Sequence, residues 1–144
     1  MEIKVGVVGA TGYAGAELVR LLLNHPYAKL TAISSVTFEG QKISEVYPSY
    51  LGLCDMVCKT QEEVVEKCDV VFAALPHGLS QELAAACAKR MKFFIDLGAD
   101  FRLEDEETYK TWYGCEFLDK ALHEQAVYGL PELFRPFIRG KSLI

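Results

Sequence analysis

Ile3-Lys4-Val5-Gly6-Val7-Val8-Gly9-Ala10-Thr11-Gly12-Tyr13-Ala14-Gly15-Ala16-Glu17-Leu18-Val19-Arg20-Leu21-Leu22 runs from an apolar stretch through a glycine-studded turn into a segment of helical period. Ile3, Val5 and Val7 alternate with Lys4, Gly6 and Val8, and the run is apolar enough for a strand covered on both faces inside a parallel sheet. Beyond the glycines, Ala14, Leu18, Leu21 and Leu22 recur at helical spacing and form the expected apolar face of a helix. Asn24-His25-Pro26 ends that helix, because proline disfavours helical geometry in the residue before it.

The same alternation continues downstream. Leu30 to Ile33 reads as a second strand, and residues 34–53, with Gly40, Pro48 and Gly52, as a long irregular excursion holding at most one short helix. Met56 to Lys59 is a short strand, Gln61 to Lys67 a short helix, and Asp69 to Leu75 the clearest strand, closed by Pro76 and Gly78. Ser80 to Arg90 is an alanine-rich helix with Leu83, Ala84, Cys87 and Met91 on one side, and Phe93 to Leu97 returns as a strand. Strands alternating with helices predict an α/β fold, a Rossmann-type doubly wound and mostly parallel sheet.

Beyond Asp100 the period weakens. Asp105-Glu106-Glu107 puts acids at the start of a short helix, where the peptide dipole favours them; the rest reads as more loop than layer. Without a repeat or linker, residues 1–144 form one domain. Lys141 to Ile144 open a further strand, and an apolar end of that kind suggests a domain excised from a longer protein, since termini tend to be polar.

The composition bounds the partners. The 144 residues are 51% apolar and 24% charged, as globular chains are. Fifteen basic against twenty acidic residues leave a net charge of −5, which works against a nucleic-acid partner. The apolar runs fall far short of the roughly 20 residues that span a bilayer, so no membrane segment is expected. An odd set of five cysteines without framework spacing points to reduced thiols and a cytoplasmic protein.

The glycine turn carries the chemistry. Gly9 makes the tight turn off the strand, Gly12 lets backbone approach a diphosphate, and Gly15 lets the helix lie close on the sheet. The N–H groups of the first helical turn then face the negative charge. A carboxylate about 20 residues beyond the glycines commonly holds the ribose of NAD. None lies between Glu17 and Glu39 here, and the second strand ends in Ser34-Ser35, so NADP is favoured. Lys42 or Arg20 is the candidate counter-charge, against the alternative that either is an ordinary solvated cation.

Leu75-Pro76-His77-Gly78 ends the fourth strand at the carboxyl edge where ligands bind in open α/β sheets. His77 is a candidate site residue or a surface histidine capping the next helix, whereas His25 and His123 read as structural. Cys54 and Cys58 lack metal-site spacing, Cys68 and Cys87 read as core, and Cys115 has Glu116 beside it and no adjacent cation to activate it. No catalytic residue and no metal ligand is assigned.

Four stretches together resemble the N-acetyl-γ-glutamyl-phosphate reductases, NADPH-dependent enzymes of arginine biosynthesis. They are Gly9 to Gly15, Leu75 to Gly78, Ile95-Asp-Leu-Gly-Ala-Asp-Phe-Arg-Leu103 with Tyr109 and Trp112-Tyr113, and Tyr128-Gly-Leu-Pro-Glu-Leu133. The resemblance implies a cofactor domain whose parent enzyme, a homo-oligomer, reduces a small acyl phosphate to an aldehyde, with the nucleophilic cysteine following the last stretch. The chain ends before that position, so the piece alone is expected not to turn over. By the same resemblance Ala10, Thr11, Gly12, Tyr13 and Ala14 meet the diphosphate, Ser34 and Ser35 the adenosine end, and Leu75 to Gly78 the nicotinamide. Asp100, Arg102 and Glu132 would border the reaction centre. Gly98 stands where the family commonly has serine, and no arginine follows Ser35. The alternatives are an aspartate-semialdehyde dehydrogenase-like cofactor domain and a non-catalytic NADP-binding regulatory module.

Overall fold

The computed structural model describes residues 2–144, which gather into two compact units, one up to Ala74 and one from Leu75 to Ile144. The first unit contains β1 (Ile3–Val8), α1 (Tyr13–Leu22), β2 (Ala28–Ser34), α2 (Ile43–Val46), β3 (Cys58–Lys59), α3 (Gln61–Lys67) and β4 (Val70–Ala73). Its strands run parallel in the order β3-β2-β1-β4, the Rossmann-type arrangement expected from the alternation. β1 is central, which accounts for its apolar run: Val7 and Val8 are fully buried, with β2 on one side and β4 on the other.

Close contacts set the helix positions. A Cβ on Gly6 would lie 2.4 Å from Val64 Cγ1, so α3 rests directly on β1. α3 is started by a reciprocal cap in which Thr60 Oγ1 accepts the Glu63 N–H at 3.2 Å and Glu63 Oε2 accepts the Thr60 N–H at 3.3 Å. α1 buries Gly15, Val19 and Leu22. That face is turned from the expected one, since Ala14 and Leu21 are exposed, and the reason is Gly15, whose contact with Gly9 sets the rotation of the helix. The excursion after β2 is packed: Ile43, Tyr50, Cys54 and Cys58 join Val5, Val7, Val19 and Ile33 in one core.

The second unit contains α4 (Ser80–Lys89), β5 (Phe93–Asp96), α5 (Glu106–Tyr113), α6 (Lys120–Gln125) and α7 (Pro131–Ile138). The closing residues do open a strand pairing: the Phe94 N–H donates to Ser142 O at 2.7 Å and the Ile144 N–H to Phe94 O at 3.0 Å. Met91 departs from the sequence reading. It is 91% exposed, because α4 has already closed: the Met91 N–H donates to Ala88 O and the Lys92 N–H to Cys87 O, with Met91 left-handed at φ 54°.

Beyond Asp100 the expected short helix, α5, is followed by two more, α6 and α7, where loop was expected. Asp105 caps α5 through the Thr108 N–H at 2.8 Å, and Asp119 caps α6 through the Leu122 N–H at 3.0 Å. Aromatic stacking stands in for an apolar stripe, with Phe117 against the His123 ring at 3.6 Å and against Tyr109 at 5.4 Å. Among the described residues no helix is long and apolar enough to cross a membrane.

Candidate functional site

The turn between β1 and α1 is shaped by its three glycines. Gly9, at φ 80°, leaves the strand, and its N–H and that of Ala10 donate to Ser34 O at 3.1 and 2.9 Å. Ala10 is buried, so it shapes the turn. A Cβ on Gly15 would stand 2.0 Å from Gly9 O, a separation that backbone cannot relieve. Gly12 differs: a Cβ there would meet only Gly9 O, at 3.5 Å. The space above it is open.

Gly12 precedes α1 and brings no capping side chain. The N–H groups of Tyr13, Ala14 and Gly15 therefore have no earlier helical carbonyl to bond and no side-chain cap, which is the condition for anion binding at a helix start. Tyr13 and Ala14 are exposed there.

Thr11 is tied from two sides. Its hydroxyl lies 2.6 Å from Ser35 Oγ, and its carbonyl accepts the Tyr47 hydroxyl at 2.7 Å. Ser35 Oγ also accepts the Phe38 N–H at 3.2 Å. Ser34 and Ser35 are buried at the end of β2, beside a cavity of about 230 Å³ also lined by Glu39, Lys59, Thr60 and Glu62. Lys59 reaches this place because β3 pairs with β2 in the register Ser34↔Lys59. Its ammonium is 4.0 Å from Glu63 Oε1. Glu63 is held below the usual carboxylate range, chiefly by the Thr60 N–H. Lys42 is exposed on the approach to α2, and Arg20 is engaged by Glu17 at 2.5 Å.

In the second unit Asp100 organises the residues after Leu75. It is wholly buried, and its Oδ1 accepts the Gly78 N–H at 2.5 Å and the Tyr109 hydroxyl at 2.8 Å. Its Oδ2 accepts the Ser80 N–H at 2.8 Å, which caps α4. His77 therefore does not perform that cap. It is exposed, with its ring 5.5 Å from Tyr113. Burial, then the bond to Asp100, holds the Tyr109 proton far beyond the usual phenol range. His123 Nε2 lies 2.8 Å from the Asp100 carbonyl, a structural contact, as His25 also makes with the Tyr27 and Ala28 N–H groups.

Asp96 is less well served. Its Oδ1 accepts Ser80 Oγ at 2.8 Å and the Gly98 N–H at 3.0 Å, while its buried Oδ2 has no hydrogen-bond partner among the described residues. Burial pushes the carboxyl above its ordinary range, and the charge on Asp100 adds to that. A Cβ on Gly98 would lie 3.0 and 3.2 Å from the two Asp96 oxygens. Arg102 donates to Gly98 O at 3.0 Å and lines, with Asp96, Tyr128 and Ile144, a cavity of about 290 Å³. Glu132 is exposed in the first turn of α7. Cys115 Sγ would lie 3.0 Å from a Cβ on Gly78, a contact no local sequence pattern announced.

Tyr47, Tyr50 and Lys59 went unmarked in the sequence reading. For Lys59 a signal existed: a parallel strand ending there sets it beside the end of β2.

This geometry is that of a nucleotide-binding α/β domain, and the chain belongs to the semialdehyde dehydrogenase NAD-binding domain family, whose model matches residues 4–140. It is 52% identical over 142 residues to the N-acetyl-gamma-glutamyl-phosphate reductase of Clostridium beijerinckii, covering 99% of this chain and 41% of that one. The protein of that name from Brachyspira hyodysenteriae is 51% identical over 133 residues, covering 92% of this chain and 38% of the other. The chain thus spans about 41% of the length of the curated relatives it matches. In fold it is similar to the aspartate semialdehyde dehydrogenase of Candida albicans, solved with NADP, at TM-score 0.63 and 24% identity over 74% of this chain and 32% of that one. A nicotinamide cofactor is what the family binds, and the uncapped, open start of α1 fits its diphosphate.

Proposed function

We propose that this chain is the NADP-binding domain of a reductase that converts N-acetyl-γ-glutamyl phosphate to N-acetylglutamate semialdehyde. The observation that carries the cofactor half is the start of α1, where the N–H groups of Tyr13, Ala14 and Gly15 have no side-chain cap and a Cβ on the preceding Gly12 would meet only Gly9 O. The substrate half rests on relatives of that name at 46–53% identity.

In this reading the residues from Gly9 to Ala14 hold the diphosphate, and Ser34 and Ser35 face the adenosine end. Lys59, which lines the cavity beside Ser34 and Ser35 where Lys42 and Arg20 do not, supplies the cation for a 2′-phosphate. Leu75, Pro76, His77 and Gly78 meet the nicotinamide end, their turn held by Asp100. Bound NADPH would supply hydride; the residues here bind and orient it. No side chain of this chain is assigned as nucleophile.

Titration of the purified chain with NADPH and NADH, followed by cofactor fluorescence, tests the reading. Tighter binding of NADPH is expected. Equal affinities would remove NADP selectivity, and binding of neither would remove the cofactor site. The substrate assignment is tested separately, by assaying a full-length relative carrying residues 1–144 in place of its own matching segment. NADPH oxidation with N-acetyl-γ-glutamyl phosphate is expected, and activity with aspartyl phosphate alone would transfer the reading to the other semialdehyde dehydrogenase.

A further inference from the structure

We infer that Tyr47 is a positioning residue for the diphosphate-binding turn, its phenol engaging the Thr11 carbonyl so that the turn keeps its N–H groups toward the bound anion. The inference rests on the reading of that turn as a dinucleotide site.

Each peptide of a tight turn carries a donor on one side and an acceptor on the other, and a carbonyl swung toward a phosphate would repel it. The peptide between Thr11 and Gly12 is pinned at both ends: the Gly12 N–H donates to Gly9 O at 3.1 Å, and the Thr11 carbonyl accepts the Tyr47 hydroxyl at 2.7 Å. The Thr11 side chain is fixed as well, by Ser35 at 2.6 Å. That fixed peptide leads directly into the uncapped first turn of α1 and its N–H groups at Tyr13, Ala14 and Gly15.

Tyr47 is itself anchored. Its N–H donates to Ile43 O at 2.8 Å, the Ile43 N–H donates to Met56 O at 2.9 Å, and Ser44 Oγ donates to Asp55 Oδ1 at 2.5 Å. Tyr50, its ring edge-on to Tyr47 at 6.4 Å, donates to the Ala16 carbonyl in the first turn of α1. The excursion between β2 and β3 therefore brings two phenols to two carbonyls of one turn and its helix. Binding is aided when such groups are set in place beforehand instead of being ordered by the ligand.

The test uses the purified chain with Tyr47→Phe, which keeps the ring, and Tyr47→Ala, which does not. Binding of NADPH is measured by its fluorescence, and binding of adenosine 2′-monophosphate, which has the adenosine end but no diphosphate, by competition. Loss of one buried hydrogen bond corresponds to a weakening of about three- to tenfold. Tyr47→Phe is expected to weaken NADPH by that factor, to leave adenosine 2′-monophosphate unchanged, and to speed amide exchange at Gly12 in the free protein. Equal weakening of both ligands, or a Tyr47→Phe chain that binds NADPH like the wild type, overturns the inference alone. A wild-type chain that takes up neither NADPH nor NADH overturns the dinucleotide site, and the inference falls with it.

Discussion

Asp100 and Gly78 are joined by a hydrogen bond of 2.5 Å from the Gly78 N–H to the buried carboxylate, although 22 residues separate them in sequence. The same carboxylate accepts the Tyr109 hydroxyl and the Ser80 N–H. A residue that sequence resemblance put at the border of a reaction centre thus acts as the internal anchor of the turn that follows β4. Three donors converge on it, which satisfies a side chain that would be costly to bury unpaired.

Replacing Asp100 with Asn turns an acceptor into a donor facing one of those N–H or O–H groups. Asp100→Asn is expected to cost about 2–4 kcal/mol of stability, and Tyr109→Phe about 1–2 kcal/mol. Urea unfolding of both variants checks this. An Asp100→Asn chain as stable as the wild type would show that the carboxylate is not the anchor.

Asp96 gives a pH dependence of definite sign. Burial raises its folded pKa above the unfolded one, so the folded state holds the proton more tightly. This cost is absent below the ordinary aspartate pKa, grows as pH rises toward the folded value, and is complete above it. Gly98→Ser would set a hydroxyl beside the unpartnered Oδ2, provided the carboxylate yields a few tenths of an ångström. The Asp96 carboxyl, followed by carbon NMR through a pH titration, is expected to titrate lower in Gly98→Ser. An unchanged midpoint would mean that the serine does not reach it.

The start of the chain was legible because glycine spacing and an apolar strand depend on local geometry. The rotation of α1 was not, since Gly15 counts as nothing on a hydrophobic scale yet is buried against Gly9 where no Cβ would fit. Beyond Asp100 the acids at Asp105 to Glu107 announced α5, whereas α6 is held by the Asp119 cap and the stack of Phe117 on His123, neither of which leaves an apolar period. α7 does carry one, Leu130, Leu133, Phe134 and Phe137 at helical spacing, a signal the sequence reading passed over. Tyr47 became visible as a site residue only once the excursion was folded back on Thr11, a long-range relationship that no local pattern encodes.

Met91 closes α4 in a left-handed conformation while exposing 91% of its surface. The side chain therefore loses little by removal, whereas the backbone strain of a residue with a Cβ is about 1 kcal/mol. Met91→Gly is expected to stabilise the chain by about that amount, less any entropy cost from the more flexible unfolded chain. Thermal unfolding measures it, and a lowered midpoint would show that the strain is smaller than the entropy.

Gly15 and Gly12 separate folding from binding. An alanine at Gly15 would overlap Gly9 O, so Gly15→Ala is expected to cost about 1–3 kcal/mol and to lose dinucleotide binding with it. Gly12→Ala meets only an ordinary contact and should fold normally, yet its methyl group would occupy the face to which the proposed reading assigns the diphosphate. Unfolding curves beside NADPH titrations distinguish the two. Full affinity in a folded Gly12→Ala chain would move the diphosphate away from that face.

In the proposed reading the choice between NADP and NAD turns on Lys59. The cavity beside Ser34 and Ser35 also holds Glu39 and Glu62, whose charge opposes a 2′-phosphate, so the lysine's contribution should be measurable by its removal. Lys59→Ala is expected to reduce the preference for NADPH over NADH by about three- to tenfold, the modest value reflecting a partly exposed pair. The wild-type preference should also narrow as salt is raised, because the interaction is screened. Parallel titrations of both cofactors at low and high salt read this out. If the variant keeps the full preference, the 2′-phosphate is held elsewhere and the two serines alone must distinguish the cofactors.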